Sequence, residues 1–304
     1  MAVTRRKGIR LLEWAGGDVA DYCDFLLEDA GDATHLWNAI RKSPHFDLAR
    51  IKDIHPDALC LRALATFAQP VRTSPARNTR IEWPTFEAWL ASLPYSARKH
   101  YRARVKQAEA IAPLRYEVAR TGAIPEAAIA TLVEQKKAWA EALRKDSVFA
   151  APGAGAFFRH IAEAESREGR LHFSTLSCGP ELIAVHIGFV WQGAFMSYMP
   201  SYSAKHSNLS PGKLLMFKCM GWAIENGCRE YDFMRGEEEY KNTFATDSRT
   251  LKDFIFARSL RGRLALFVYL RRLNKATSIL SGQGADGITA DNVPVAQPDR
   301  ATAF

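Results

Sequence analysis

From residue 114 onward the apolar positions change spacing in a regular order, and that order predicts the elements. LRYEVAR (114–120) reads as a strand. Over 125–144, Ile129, Leu132, Val133, Trp139 and Leu143 recur at helical spacing. A loop at 145–153 precedes a second helix at 155–168, with Phe157, Phe158 and Ile161 expected in the core and Gly169 as its stop. Three strand signals follow at 170–177, 182–190 and 194–200, joined by turn-like Cys178-Gly179-Pro180 and Trp191-Gln192-Gly193. In the middle strand Ile183, Val185, Ile187 and Phe189 share one face, and Ala184, His186 and Gly188 the other. After a polar loop at 201–209, Ser210-Pro211-Gly212 opens a helix that runs to about Asn226, with Gly227 as its stop. CREYDFM (228–234) and LKDFIFAR (251–258) are strands separated by a polar loop. The series is an α+β layout.

The first third carries shorter signals. GIRLLEW (8–14) and FDLARIKDI (46–54) read as strands, with a helix at 33–42 between them. Pro56 is expected to open a further helix. Residues 70–82, with Pro70, Pro75 and scattered arginines, read as a loop. Thr85 caps a helix carrying Trp89 and Leu90, and 94–110 continue as a basic helix. A basic amphipathic helix at 260–275 follows the last strand, with Leu260, Leu264, Phe267, Leu270 and Leu273 expected to cover the core. The tail has few bulky apolar residues and reads as disordered.

Composition narrows the class. With 304 residues, 47% apolar and 24% charged, the chain can bury a core. No uncharged stretch approaches the roughly 20 residues of a membrane span, and the basic N-terminus lacks the apolar run of a signal peptide. Cys23, Cys60, Cys178, Cys219 and Cys228 are scattered with no CxxC pair. That argues against a zinc finger or disulfide scaffold and for a reducing, cytoplasmic setting. No metal is expected.

The formal net charge is +8, unevenly spread. Residues 72–107 hold eight basic and two acidic residues, 258–275 six basic and none acidic, and 18–32 six acidic and none basic. The basic zones suit a polyanion, an anionic membrane or a phosphate-bearing cofactor.

Two constellations carry candidate chemistry. The first is SYSAKHSNLSPGK (201–213), a loop leading into a helix start. The first turn of a helix presents unpaired N–H groups and the positive end of the macrodipole, so it can hold a phosphate. Gly212 would let the anion approach the backbone and Lys213 would add charge. An ordinary capped helix accounts for the same residues. The second is YDFMRGEEEYK (231–241), where a strand end is followed by glycine, acids, tyrosine and lysine. A solvated loop with Tyr240 packed on the core is the alternative. His186 reads as a satisfied core histidine. His206, Tyr198 and Tyr202 flank the first constellation, more as packing residues than as chemistry.

The run SPGKLLMFKCMGWAIENGCREYDFMRGEEEYKNTFA resembles the second half of the CelD/BcsL-type acetyltransferases. These are GNAT (Gcn5-related N-acetyltransferase) enzymes associated with bacterial cellulose and exopolysaccharide biosynthesis. The matching positions are Ser210, Pro211, Gly212, Gly227, Tyr231, Asp232, Phe233, Gly236, Glu237, Tyr240 and Lys241. The match is specific across 114–260 and looser over 8–110. It implies two GNAT-like lobes, each a mixed sheet flanked by helices. Residues 1–110 would form the first lobe and its connecting basic helix, 111–278 the acetyltransferase lobe, and 279–304 a disordered tail.

The same resemblance implies acetyl-CoA as acyl donor. Its pyrophosphate would sit at Ser210, Pro211, Gly212 and Lys213. Its pantetheine arm would pair with the edge of the preceding strand near Phe195–Met199. Of the common GNAT phosphate loop only Gly212 has a counterpart here. Direct transfer needs a base, for which Asp232, Glu237 and Glu238 are candidates. Tyr240 is the candidate acid, and Lys241 a candidate anchor for a small-molecule or saccharide acceptor. A backbone N–H of the splayed strand would stabilise the oxyanion, worth ~3–4 kcal/mol. Family members carry more chain ahead of the first lobe, so a short first lobe is expected. The uncovered edge would then be met by another element or by a second copy in a homodimer.

Two other functions stay open. A Fem-like aminoacyl transferase has the same two-lobe plan and would use aminoacyl-tRNA, held by the basic helix at 94–110. A non-enzymatic protein would use 94–110 and 260–275 to bind a polyanion or, peripherally, the inner membrane.

Overall fold

The computed structural model describes residues 1–282 except Asp18, Gln69, Ala123, Lys145, Asp146 and Glu237. In chain order the elements begin with β1 (Ala2–Arg6), β2 (Ile9–Glu13), α1 (Ala30–Lys42), β3 (Leu48–Ile54), α2 (Cys60–Ala65) and β4 (Arg72–Arg80). They continue with α3 (Phe86–Ser92), α4 (Tyr95–Glu109), β5 (Leu114–Ala119), α5 (Glu126–Ala142), α6 (Ala154–Arg167), β6 (Leu171–Cys178), β7 (Glu181–Trp191) and β8 (Ala194–Tyr202). The last are α7 (Pro211–Glu225), β9 (Glu230–Arg235), α8 (Glu239–Phe244), β10 (Asp247–Ala257) and α9 (Leu260–Gly282).

The chain divides into two compact units. The first comprises Met1–Ala76, Arg235–Glu237 and the chain from Arg249 onward; the second comprises Arg77–Met234 and Glu238–Ser248. Helices α3 and α4, grouped above with the first lobe, fall in the second unit.

In the first unit β1 pairs antiparallel with β2, β2 parallel with β3, and β3 antiparallel with β10. Alternation sends neighbouring residues to opposite faces. Leu12, Ala49 and Phe254 pack with Trp37 of α1 and Leu64 of α2, while Leu11, Leu48 and Ile255 pack with Tyr269 of α9. A strand, β1, precedes the one expected near residue 8, and its side chains beyond Ala2 are exposed.

In the second unit β5, β6, β7 and β8 form an antiparallel meander, and β9 joins β8 in parallel. Gln192 and Gly193 both have positive φ (48° and 81°), the backbone of a tight hairpin between β7 and β8. Helix α7 lies across the meander, with Leu214, Leu215, Phe217 and Met220 in the core. At its end the Gly227 N–H bonds the Ile224 carbonyl and the Cys228 N–H the Ala223 carbonyl. Those carbonyls would otherwise be left open, and Gly227 supplies the left-handed turn. Both units therefore hold a mixed sheet flanked by helices.

Several expectations need correcting. Residues 72–80 form β4 rather than a loop. Its buried positions include Asn78 and Thr79, and their polarity hides the strand from a hydropathy pattern. Thr79 Oγ1 meets Thr246 Oγ1 at 2.9 Å, so the burial is satisfied. Pro56 lies in a turn, and α2 starts at Cys60. The loop after β9 contains a short helix, α8. Phe157 is exposed while Phe158 is buried. In α9 the inward face is Gly262, Ala265, Leu266 and Tyr269; Leu260, Leu264 and Phe267 are 80%, 66% and 52% exposed. Leu273 is among the side chains that are not described, and α9 continues to Gly282. Residues 283–304, most of the expected tail, lie outside the described residues.

Candidate functional site

The site is built where β8 and β9 part. Ala194, Phe195 and Met196 pair with Glu230, Tyr231 and Asp232, and no pair follows, although β8 runs on to Tyr202 and β9 to Arg235. The cause is local to β9. Asp232 is buried, and its Oδ1 accepts the Met234 N–H at 2.7 Å. Met234 takes a left-handed φ of 59°. That turn takes the backbone of β9 out of a regular ladder. Past Met196, no further β8–β9 residue pair forms among the described residues. Phe195, expected in the cofactor-pairing stretch, is instead in the ladder; Met199 lies beyond the parting with its side chain buried.

The chain then turns through a short 3-10 segment, Ala204–Leu209, into α7. Glu181 steadies this segment, meeting Lys205 Nζ at 3.0 Å and His206 Nε2 at 3.1 Å. His206 Nδ1 also meets Ser203 Oγ at 3.1 Å, so this histidine is held in the loop. Ser210 does not cap α7 in the expected way. It sits at φ 50°, ψ 53°, and its side chain accepts no bond from the helix start. Pro211 brings no N–H, so the first turn presents the amides of Gly212 and Lys213. Gly212 has a reason of its own: a Cβ there would stand 2.9 Å from Tyr202 Cδ1.

Two residues of α4, missed by sequence reasoning, join this turn. His100 is held below its ordinary pKa by burial first, then by Lys213 and Arg104, which gathers three nitrogenous side chains at one place. His100 Nε2 and Arg104 Nε are buried without a hydrogen-bond partner among the described residues. Buried donors without acceptors are costly, so this cluster fits an anion such as a phosphate. The signal in the sequence was the i, i+4 spacing of His100 and Arg104 on a basic helix. What it could not show is that α4 packs against the segment leading into α7.

Beyond the parting, Glu238 and Lys241 are both buried and pair at 2.8 Å. The Tyr240 phenol is pushed well above its ordinary pKa by burial, with Glu238 and Tyr202 adding to the effect. It is therefore protonated at any physiological pH. Glu237 lies outside the described residues. Arg235, in the first unit, pairs with Asp21 at 2.9 Å and with Asp53. His186 is buried, with Nε2 3.2 Å from Ser197 Oγ. No ligand spacing was visible in the sequence, yet the fold brings His172, His186 and Cys219 together.

Residues 95–242 match the family model described as "Acetyltransferase (GNAT) domain". This stretch, just under half of the chain, is similar to a GNAT-type acetyltransferase domain. It opens at the first residue of α4 and closes inside α8, so the anion cluster and the strand parting both lie within it. The fold as a whole is similar to that in "Crystal structure of FemX", with TM-score 0.54 and 11% identity over 84% of this chain and 83% of that one. It is also similar to "The structure of L-PGS from Bacillus licheniformis", with TM-score 0.50 and 13% identity over 79% and 76%. No curated protein matches the chain. Among the described residues no helix is long and apolar enough to cross a membrane.

Proposed function

We propose that this protein transfers an acyl group, acetyl first, from acyl-CoA directly to an amine or hydroxyl of a small-molecule or saccharide acceptor. The observation that carries the reading is the parting of β8 from β9 just ahead of a helix start without a side-chain cap, beside His100 Nε2 and Arg104 Nε, two buried nitrogens with no hydrogen-bond partner among the described residues. Ser210, Pro211, Gly212 and Lys213, with His100 and Arg104, would hold the phosphates. The stretch of β8 around Met199, past its pairing with β9, would pair with amides of the pantetheine arm. Bound acetyl-CoA supplies a thioester-activated acyl group.

The chain's own residues then manage protons. Tyr240, kept protonated by burial, is suited to donate to the departing sulfur. We assign proton removal from the acceptor to Asp232 or Glu237. Asp232 also holds the Met234 turn, so its replacement tests two roles at once. An Asp232→Asn change that lowers kcat by about 10²–10⁴ with unchanged melting temperature marks a base. A fall in melting temperature with kcat retained in the folded fraction marks a positioning residue. Lys241, engaged by Glu238, would orient the acceptor end of the loop. The resemblance to CelD/BcsL-type enzymes makes a polysaccharide precursor the first acceptor to try.

A second reading is Fem-like transfer from aminoacyl-tRNA. The similarity to FemX and the exposed Lys99, Arg102 and Lys106 of α4 favour it. Thermal shift separates the two. Acetyl-CoA at 100 times its Kd should stabilise the protein by ~2.7 kcal/mol. No shift with any acyl-CoA, together with salt-sensitive tRNA binding, would move the assignment to the second reading.

A further inference from the structure

Three residues far apart in sequence meet inside the second unit. His172 of β6, His186 of β7 and Cys219 of α7 are 0%, 1% and 1% exposed. One candidate ligand atom from each lies within 4.8 Å of the other two. His186 Nδ1 stands 3.8 Å from Cys219 Sγ. Each ring has its other side engaged by a hydroxyl: His172 Nε2 meets Tyr116 Oη and His186 Nε2 meets Ser197 Oγ, each at 3.2 Å. His172 Nδ1 is buried with no hydrogen-bond partner among the described residues. Strand β7 clears space for the cluster at Gly188, where a Cβ would stand 2.4 Å from His186 Cε1.

Metal-binding histidines characteristically have one ring nitrogen on the metal and the other fixed by a hydrogen bond. Here both rings are fixed through Nε2, leaving Nδ1 for a second task. One thiolate with two imidazoles is a donor set that suits zinc. Tetrahedral zinc, with bonds of about 2.3 Å to sulfur and about 2.0 Å to nitrogen, separates the two atoms by about 3.5 Å. The observed 3.8 Å needs only a small inward movement.

We propose that His172, His186 and Cys219 bind a zinc ion that ties α7 to β6 and β7. The Cys219 thiol loses its proton to solvent as the zinc–sulfur bond forms, and no electron is exchanged. Ser174 Oγ, 3.7 Å from Cys219 Sγ, offers an oxygen for the fourth position. The ion is structural, and its existence does not depend on the acyl-transfer reading.

The site is closed, so zinc has to enter as the chain folds. The test uses the full chain refolded from denaturant under reducing conditions, with zinc, with cobalt(II), or with chelator. The expected results are about one zinc per chain by elemental analysis and a cobalt form with a thiolate-to-metal charge-transfer band. Melting temperature should be higher with zinc than with chelator. Cys219→Ala should lower zinc content about tenfold or more, while Cys228→Ala, a buried cysteine outside the cluster, should keep it. Circular dichroism confirms that both variants fold. The cobalt spectrum needs no variant, so it decides even if Cys219→Ala fails to fold. Wild-type protein that refolds without zinc, cobalt that lacks the thiolate band, or zinc retained by Cys219→Ala overturns the proposal.

Discussion

Gly212 is constrained from two sides, and the two constraints can be separated. A phosphate needs the bare backbone at a helix start. The Tyr202 ring needs the same space, because a Cβ at 212 would stand 2.9 Å from it. Gly212→Ala should therefore cost about 1–3 kcal/mol in urea unfolding. In a Tyr202→Ala background most of that cost should vanish, as a double-mutant cycle reports. If the acetyl-CoA thermal shift stays absent in the double variant although stability recovers, the backbone itself meets the phosphate. Asp53 offers a residue-scale test in the first unit. Burial first, then Asp253, pushes its carboxyl up to about 6, against the pull of Arg235. Unfolded, an aspartate titrates near 3.9. Between about pH 4 and 6 the folded protein holds a proton that the unfolded chain releases, so this contribution is full below that window and lost as pH rises through it. An asparagine side chain in its place does not titrate. The destabilisation caused by Asp53→Asn should thus be larger at pH 4.5 than at pH 7, by about 1–3 kcal/mol at most. An equal penalty at both values would show that Asp53 keeps an ordinary pKa.

At the scale of elements, α4 has two faces with separate work. Lys99, Arg102 and Lys106 are exposed, while His100 and Arg104 turn toward Lys213. Arg104→Ala should weaken acetyl-CoA about tenfold or more, since a hydrogen bond to a charged group contributes ~1.5–3 kcal/mol. Arg102→Ala should leave acetyl-CoA binding within about twofold. Equal losses would mean that α4 acts only through its overall charge. The helix was legible as basic from its residues, but which arginine faces the site was not. Legibility followed one physical condition: an element shows in the sequence when apolar spacing or end chemistry marks it. Helix α7 has Pro211 at its start and Gly227 past its end, and the structure places its boundaries there. Strand β4 buries polar Asn78 and Thr79, the latter against the Thr246 hydroxyl, so no apolar period announced it. In α9 the apolar stripe is visible in the sequence and Leu270 does pack inward, but Leu260, Leu264 and Phe267 face out, because Gly262 and Ala265 make the close-packed side. Asp232, Tyr240 and Lys241 stood out by motif. The parting of β8 from β9 is a matter of pairing, which a single strand's sequence does not encode.

At the scale of the molecule, the +8 charge is carried partly on surfaces that the proposed acyl-transfer site does not use. Exposed Leu260, Leu264 and Phe267 of α9 stand with exposed Arg261, Arg263 and Arg271, and Arg271 lies over the Phe267 ring at 4.3 Å. An apolar stripe flanked by arginines has the composition of a helix that rests on an anionic membrane surface. Each arginine near such a surface contributes about 1 kcal/mol, and the attraction fades with salt. The protein should then co-sediment with vesicles containing phosphatidylglycerol and not with neutral phosphatidylcholine vesicles. Leu264→Asp with Phe267→Asp should abolish co-sedimentation while leaving the acetyl-CoA shift intact, since neither residue lies in the stretch that matches the GNAT domain model. Charge reversal at Lys99, Arg102 and Lys106 should leave vesicle binding largely unchanged and, if α4 holds nucleic acid, remove tRNA binding. The pattern of losses reads out what the surplus charge serves. Loss of vesicle binding alone assigns it to a surface on which the acceptor is presented. Loss of tRNA binding alone assigns it to the aminoacyl donor. Binding to neither would leave these cations as solvated surface and the acceptor as a freely diffusing molecule.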